Sequence, residues 1–247
     1  MGKQLNVFWF NEVPNFGDLL SPFIIENVLS TKVVWAEPSR TGKILGLGSI
    51  IDFASENDVI WGSGVKKPFD FNIQNVDVLA VRGPRTAKVL GINSPITYGD
   101  PGILVPLFIP AKTRNSKITI IPHYVDYAEI VNDYGNDPAF QIIDVCDLDF
   151  RKNCELISQS DLVISSSLHG IIISEAYGVP AHWLKVSDKV IGGSYKFNDY
   201  YESSNRAGKL NMYNNGLHKI LDADLPPLPL HDTKALISKL ENYFKSS

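Results

Sequence analysis

Residues 161–180, DLVISSSLHGIIISEAYGVP, allow few local structures. A strand-length apolar run through Ser165 is followed at once by Ser166, Ser167 and Gly170. Ile171, Ile172, Ile173, Ala176 and Tyr177 then carry apolar character on for about two helical turns, until Gly178 and Pro180 stop the helix. Strand, tight polar turn and helix start in this order aim several free backbone N–H groups, and the positive end of a helix dipole, at one spot. An anion is the natural occupant of such a turn. His169 stands at its mouth, although the serines read equally well as helix caps and His169 as a surface histidine.

The same sequence of elements recurs along the chain. Residues 5–10 (LNVFWF) form a β-rich run that turns through Gly17 and Asp18 into a helical pattern of Leu19, Leu20, Phe23, Ile24 and Val28, with Asp18 expected as the cap and Pro22 in the first turn. Residues 44–47 end among Gly46, Gly48 and Ser49, and residues 59–61 end in Gly62-Ser63-Gly64, where backbone can approach a ligand closely. Residues 76–81 end at Arg82-Gly83-Pro84-Arg85, with Pro84 placed to start a helix. Apolar runs that each end in a Gly-rich or charged turn are the signature of parallel strands with a binding edge at their carboxyl ends.

A polar linker at 111–116 interrupts the alternation, which resumes with strands expected at 118–121, 142–145 and 181–184 and a helix at 148–159. Residues 192–206, GGSYKFNDYYESSNR, read as an aromatic and polar loop. Pro226, Pro227 and Pro229 make a stiff connector, and Asp232 caps a final amphipathic helix carrying Leu236, Ile237, Leu240 and Phe244. No internal sequence repeat is visible, but two α/β halves are.

With 247 residues, 44% of them hydrophobic, the chain can bury a substantial core as one large domain or two small ones. A net charge of -4 and the lack of any Lys/Arg cluster speak against nucleic acid, so local cations must carry any anion binding. Cys146 and Cys154 have neither CxxC spacing nor accompanying histidines, which fits a reducing cytoplasm and suggests neither disulfide nor zinc. No run approaches the ~20 apolar residues of a membrane span, so membrane association is expected to be peripheral at most, at the inner face.

Asn15-Phe16-Gly17-Asp18, Val81-Arg82, Tyr98-Gly99-Asp100-Pro101, Ser166-Ser167-Leu168-His169-Gly170 and Glu175-Ala176-Tyr177-Gly178-Val179-Pro180 occur in this order at expected strand ends. Together they resemble the polysaccharide pyruvyltransferase family, over most of the chain. The resemblance implies two Rossmann-like domains facing across a cleft, as in glycosyltransferase-B folds. An acceptor-side domain would span 1–110 and a donor-side domain 111–230, with helix 231–247 packing back on the first. It also implies transfer of pyruvate from phosphoenolpyruvate, as a ketal, onto a hexose of a surface polysaccharide or its lipid-linked precursor, with no cofactor; no metal is called for, since no His/Asp/Glu group shows ligand spacing and the arginines can neutralise the donor. Many relatives carry arginine directly before Leu-His-Gly, where this chain has Ser167.

Phosphoenolpyruvate would require two or three cations in a partly dry cleft. Arg82 matches the family's donor-binding arginine, and Arg85 either joins it or forms a surface pair. Lys196 and Arg206 are candidates to replace the charge missing at Ser167, with Ser166, Ser167, Gly170 and His123 completing the donor side. His169 suits acid and base roles, and Asp18 suits an acceptor-hydroxyl base or a plain helix cap. Asn15, Gly17, Trp61, Ser63 and Tyr200 are the acceptor-side candidates, the aromatic rings serving a sugar face or the core. A nucleotide-sugar glycosyltransferase, which would need Glu175 for its nucleotide, and a catalytically silent glycan-binding protein are the alternatives.

Overall fold

A computed structural model describes residues 4–208, 212–214 and 217–246, which form two parallel sheets flanked by helices. The first sheet is assembled from β1 (Leu5–Phe8), α1 (Phe16–Leu29), β2 (Val33–Trp35), β3 (Ile44–Leu45), β4 (Val59–Trp61), β5 (Asp77–Val81), α2 (Pro84–Val89) and β6 (Thr97–Tyr98). Short 3-10 helices at Ile51–Phe53 and Pro101–Leu107 complete that half. The second follows with β7 (Lys117–Ile121), α3 (Tyr127–Tyr134), β8 (Phe140–Ile142), α4 (Phe150–Ser158), β9 (Ser160–Ser165), α5 (Leu168–Ala176), β10 (Ala181–Lys185), α6 (Gly193–Ser203) and β11 (Met212–Asn214). Helices α7 (Leu217–Leu221) and α8 (Thr233–Ser246) end the described chain.

The strand order is β2-β1-β3-β4-β5-β6 in the first sheet and β11-β10-β9-β7-β8 in the second, and every strand pairing among the described residues is parallel. Counted from β7, the second order repeats the first: the opening strand lies between its second and third. In both sheets the chain therefore reverses its direction of travel beside the opening strand, and ligands of open α/β sheets bind outside the carboxyl ends of the strands at such a point. The duplication is one of topology, invisible as a sequence repeat.

Helix α5 shows why the halves pack as they do. Ile171, Ile172 and Ile173 are consecutive and each fully buried, so this helix is covered on more than one side and must lie between layers. It sits between the second sheet and the Pro101–Leu107 helix of the first half. Each such isoleucine contributes about 2–3 kcal/mol of burial. A single apolar cluster consequently runs from Val7 and Ile44 through Leu104 to Val163 and Trp183. Phe16 N also donates to Val145 O at 2.8 Å, tying the start of α1 to the turn after β8. Helix α8 packs on the first sheet, where Leu236 O accepts from Trp61 Nε1 at 2.8 Å.

Several local expectations shift. Asn15, whose side chain accepts from Gly17 N, caps α1 in place of Asp18, so Pro22 falls in the second turn. Strand β8 lies at Phe140–Ile142, earlier than expected, because Asp144 Oδ1 accepts from Cys146 N and turns the chain, while Ile143 and Val145 are buried within that turn. The segment read as a loop at 192–206 is largely helix α6. No helix among the described residues is long and apolar enough to cross a membrane.

Candidate functional site

The carboxyl ends of both sheets meet at a cleft of about 350 Å³. The first half lines it with Phe10 beyond β1, Asn15 and Asp18 of the α1 start, Ser49 and Ile50 beyond β3, and Lys66 beyond β4. The second contributes His123, Tyr124 and Val125 beyond β7, Ser167, Leu168 and His169 at the α5 start, Lys189 and Ile191 beyond β10, and Lys196 of α6. Both reversal points of the fold thus open onto one cavity, within the ~300–1,000 Å³ typical of small-molecule sites.

Helix α5 opens the donor-like side. Ser167 N donates to Ser165 Oγ, and the Ser167 hydroxyl makes no cap bond, so the first amides of α5 keep their donors for a ligand. Gly170 makes this turn possible: a Cβ there would lie 2.3 Å from Ser165 Oγ. Ser166 holds the neighbouring loop, accepting from His123 N at 2.7 Å and donating to Asp126 Oδ2 at 2.9 Å. Asp126 also accepts from Ser187 Oγ, so one buried carboxylate gathers the loops after β7, β9 and β10.

Lys196 is buried at 9% exposure and makes no ion pair or side-chain hydrogen bond among the described residues. Burial, with Arg82 and Lys66 nearby, lowers its pKa to about 8, opposed by the Asp18 charge. The Asp18 side chain, relieved of capping by Asn15, equally makes no hydrogen bond among the described residues; burial raises it to about 7 against the pull of Lys196 and Lys66. An ammonium and a carboxylate therefore share the cleft, each held near neutrality.

His169 is wedged between the halves. Its Nε2 is buried 4.0 Å from Asp100 Oδ2, and neither atom has a hydrogen-bond partner. Asp100 uses its other oxygen to accept from Gly102 N. The ring's other nitrogen, Nδ1, lies beside Gly17, where a Cβ would come within 2.7 Å of it. Burial, with Arg82 and Lys196 adding like charge, drives His169 down to about 3, whereas burial raises Asp100 to about 6. His123 falls to about 4, again chiefly through burial, and its ring lies 4.4 Å from that of Tyr124.

Other sequence candidates lie away from the cleft. Arg82 is fully buried, with Nε donating to Asp199 Oδ2 at 3.0 Å, Nη1 to Ser49 Oγ at 2.6 Å and Nη2 to Val65 O at 2.8 Å. A buried guanidinium needs such partners, and through Ser49 it backs the cleft wall without lining it. Arg85 pairs with Glu202 at 2.6 Å. Arg206 grips Glu175 through two nitrogens, at 2.7 and 2.8 Å, and Tyr200 donates to the same carboxylate at 2.8 Å. Arg206 is therefore not the cation that compensates for Ser167, and Glu175 is not free to hold a ribose. Trp61 and Ser63 are buried and bonded to Leu236 O and Gly46 O.

Lys66, which sequence reading passed over, lies in the cleft near Phe10 and Phe53 and reaches Asp52 at 3.1 Å. Its position two residues after Gly62-Ser63-Gly64, at a strand end, was the available signal. Among the described residues no group of three or more His, Cys, Asp or Glu side chains could hold a metal ion.

Residues 42–188 match the family described as Polysaccharide pyruvyl transferase. Among curated proteins, the uncharacterized protein L143 of Acanthamoeba polyphaga mimivirus is 31% identical over 212 residues, covering 80% of this chain and 74% of its own. The succinoglycan biosynthesis protein ExoV of Rhizobium meliloti (strain 1021) is 27% identical over 215 residues, 79% of this chain, which spans 63% of ExoV. A crystal structure of an uncharacterized protein from Klebsiella pneumoniae subsp. pneumoniae NTUH-K2044 shares the fold, with a TM-score of 0.51 at 16% identity over 85% of this chain and 92% of that one.

Proposed function

Because the chain belongs to the polysaccharide pyruvyl transferase family, we propose that it transfers pyruvate from phosphoenolpyruvate to a hexose of a polysaccharide or its precursor, as a ketal. The observation that carries this reading is Lys196, a buried ammonium with no ion pair among the described residues, in the cleft that also holds the α5 amides, Asp18 and His169. Ligand-free, such a cation costs solvation energy; a phosphate or carboxylate offsets it. Lys66, paired with a partly exposed Asp52 at 3.1 Å, lines the same cleft and is the second cation of this reading, which needs no arginine at position 167.

In this reading the sheets form a glycosyltransferase-B-like pair, residues 1–110 on the acceptor side and 111–230 on the donor side, with 231–247 returning to the first. The donor's anionic groups lie against the α5 amides, Lys196 and Lys66. His169 Nε2 faces Asp100 Oδ2 at 4.0 Å, and in this reading its Nδ1 serves the reactants. Burial, more than Arg82 and Lys196, holds His169 neutral; the donor's negative charge beside the ring favours the imidazolium, which takes up a proton on donor binding and then protonates the vinyl methylene from Nδ1. The second carbon takes on oxocarbenium character, one sugar hydroxyl adds to it as Asp18 removes the hydroxyl proton, and the carbon–oxygen bond to phosphate breaks. A second hydroxyl closes the ketal and its proton leaves with inorganic phosphate, so each of the two hydroxyl protons is accounted for.

The test is phosphate release from phosphoenolpyruvate in the presence of galactose- and N-acetylhexosamine-terminated acceptors. Release should require the acceptor, and Lys196→Ala should raise the donor KM at least tenfold, about 1.4 kcal/mol. Release without acceptor dependence, or none across a broad acceptor panel, would overturn the assignment.

A further inference from the structure

A second depression, of about 820 Å³, lies beside the cleft. Its walls come from the loop carrying Phe69, Phe71 and Asn72, from Arg85 and Lys88 of α2, and from Tyr195 of α6. It adjoins the cleft along two strands of chain: Lys66 faces the cleft and Pro68 the groove, while Lys196 faces the cleft and Tyr195 the groove. The ridge between them is tight, for a Cβ on Gly192 would come within 2.5 Å of Lys66 O.

We propose that this groove binds the sugar residues adjoining the reacting hexose in a longer acceptor glycan, an inference that rests on the pyruvyl-transfer reading. Aromatic surface is present on two sides. Phe69 and Phe71 meet edge to face at 6.1 Å, and the Tyr195 ring lies 5.4 Å from the Arg85 guanidinium and donates its hydroxyl to Arg85 O. Rings with an apolar face and polar surroundings suit the C–H faces of a pyranose. Polar groups are also on hand. Asn72 and Asp70 are exposed and make no side-chain hydrogen bond among the described residues, and Arg85 meets Glu202 through Nε and Nη2 only.

Charge separates a glycan from a polyphosphate occupant. In the cleft, Lys66 is offset by Asp52, but Lys196 has no ion pair among the described residues and faces an Asp18 that burial holds near half-protonation, so an anion is favoured there. In the groove, Arg85 and Lys88 are balanced by Glu202 and Asp70, so hydroxyl-rich neutral residues fit better than a diphosphate. Arg85, one turn from Arg82 in sequence, thereby belongs to a glycan subsite and not to the donor.

The experiment measures phosphate release with a monosaccharide and with di- to tetrasaccharides ending in the same reactive sugar. Wild-type KM should fall about tenfold from monosaccharide to tetrasaccharide. Lys88→Glu and Asn72→Ala, both on exposed positions, and Phe69→Ala should each return part of that gain, with monosaccharide KM and kcat moving less than about twofold. A wild-type KM independent of acceptor length, or variants that raise monosaccharide KM equally, overturns the groove and leaves pyruvyl transfer standing. If no acceptor supports release, the pyruvyl-transfer reading fails, and tetrasaccharide titration calorimetry decides the groove alone: heat lost in Phe69→Ala and Lys88→Glu supports it, and no wild-type heat overturns it.

Discussion

Gly17 and Asp18 show how closely the candidate chemistry is tied to single atoms. Gly17 lies in the first turn of α1 with ordinary backbone angles, so alanine is conformationally acceptable there. Its Cβ, however, would stand 2.7 Å from His169 Nδ1 and 3.0 Å from His169 Cβ. Gly17→Ala should therefore lower kcat by at least about a hundredfold, some 2.7 kcal/mol of barrier, while thermal unfolding shifts by only a few degrees; a variant with wild-type kcat would show that Nδ1 takes no part. Asp18 links catalysis to stability. Its pKa rises from 3.8 to about 7 on folding, so the unfolded chain releases this proton at lower pH than the folded one. Between those values the folded state holds the extra proton, and stability present below pH 4 is lost as pH rises through 7. Asp18→Asn should abolish that loss, making the variant more stable than wild type at pH 8 by up to about 4 kcal/mol, while activity disappears. Urea unfolding at pH 5 and pH 8 checks the sign: a variant no more stable at pH 8 would mean that the carboxylate is not held up by burial.

At the level of elements, α6 carries the most consequence and was the least legible. Its buried side chains are Lys196, Phe197, Asp199, Tyr200 and Tyr201, a set that looks like an exposed polar loop because the groups that satisfy it are distant in sequence. Asp199 accepts from Arg82 Nε, Thr86 N and Thr86 Oγ1, all in the first half, and Tyr200 donates to Glu175. Asp199→Ala would leave a fully buried guanidinium short of its counter-charge, and the expected loss is about 3–5 kcal/mol in equilibrium unfolding, against about 1 for Glu202→Ala at the partly exposed Arg85 pair. Equal effects would mean that Arg82 is hydrated. Strand ends were easier to read, because parallel strands are buried on both faces and their apolar runs stop where the backbone must turn; β4, β5 and β7 lie where such runs end in Gly, charge or Pro, and β1 and β9 where they end in Asn or Ser. That strand-end logic reached Asp18, His123, Ser167 and His169. Lys196 was found through the charge missing at Ser167, and Lys66 was missed because a lysine after a Gly-rich turn looks like any solvated lysine.

Across the whole molecule, two sheets of one strand order contribute to a single cavity while sharing one apolar core. A core continuous from Val7 to Trp183 leaves no plane along which one half can unfold alone, so heating should give one transition. A ligand that touches both halves then stabilises all of it by mass action, about 2.7 kcal/mol at a hundred times its Kd. For a chain of this length that corresponds to a rise in Tm of roughly 5–10 °C. Phosphoenolpyruvate should produce this shift in wild type, inorganic phosphate a smaller one, and Lys196→Ala, with its tenfold weaker binding, no more than about half of it at the same concentration. Gly17→Ala, which crowds Nδ1 without removing a cation, should keep most of the shift while losing turnover. Differential scanning calorimetry over a donor titration distinguishes the cases. Two resolved transitions, of which the donor moves only one, would mean that the anion is held by one sheet alone and that the α1 side of the cleft serves something else.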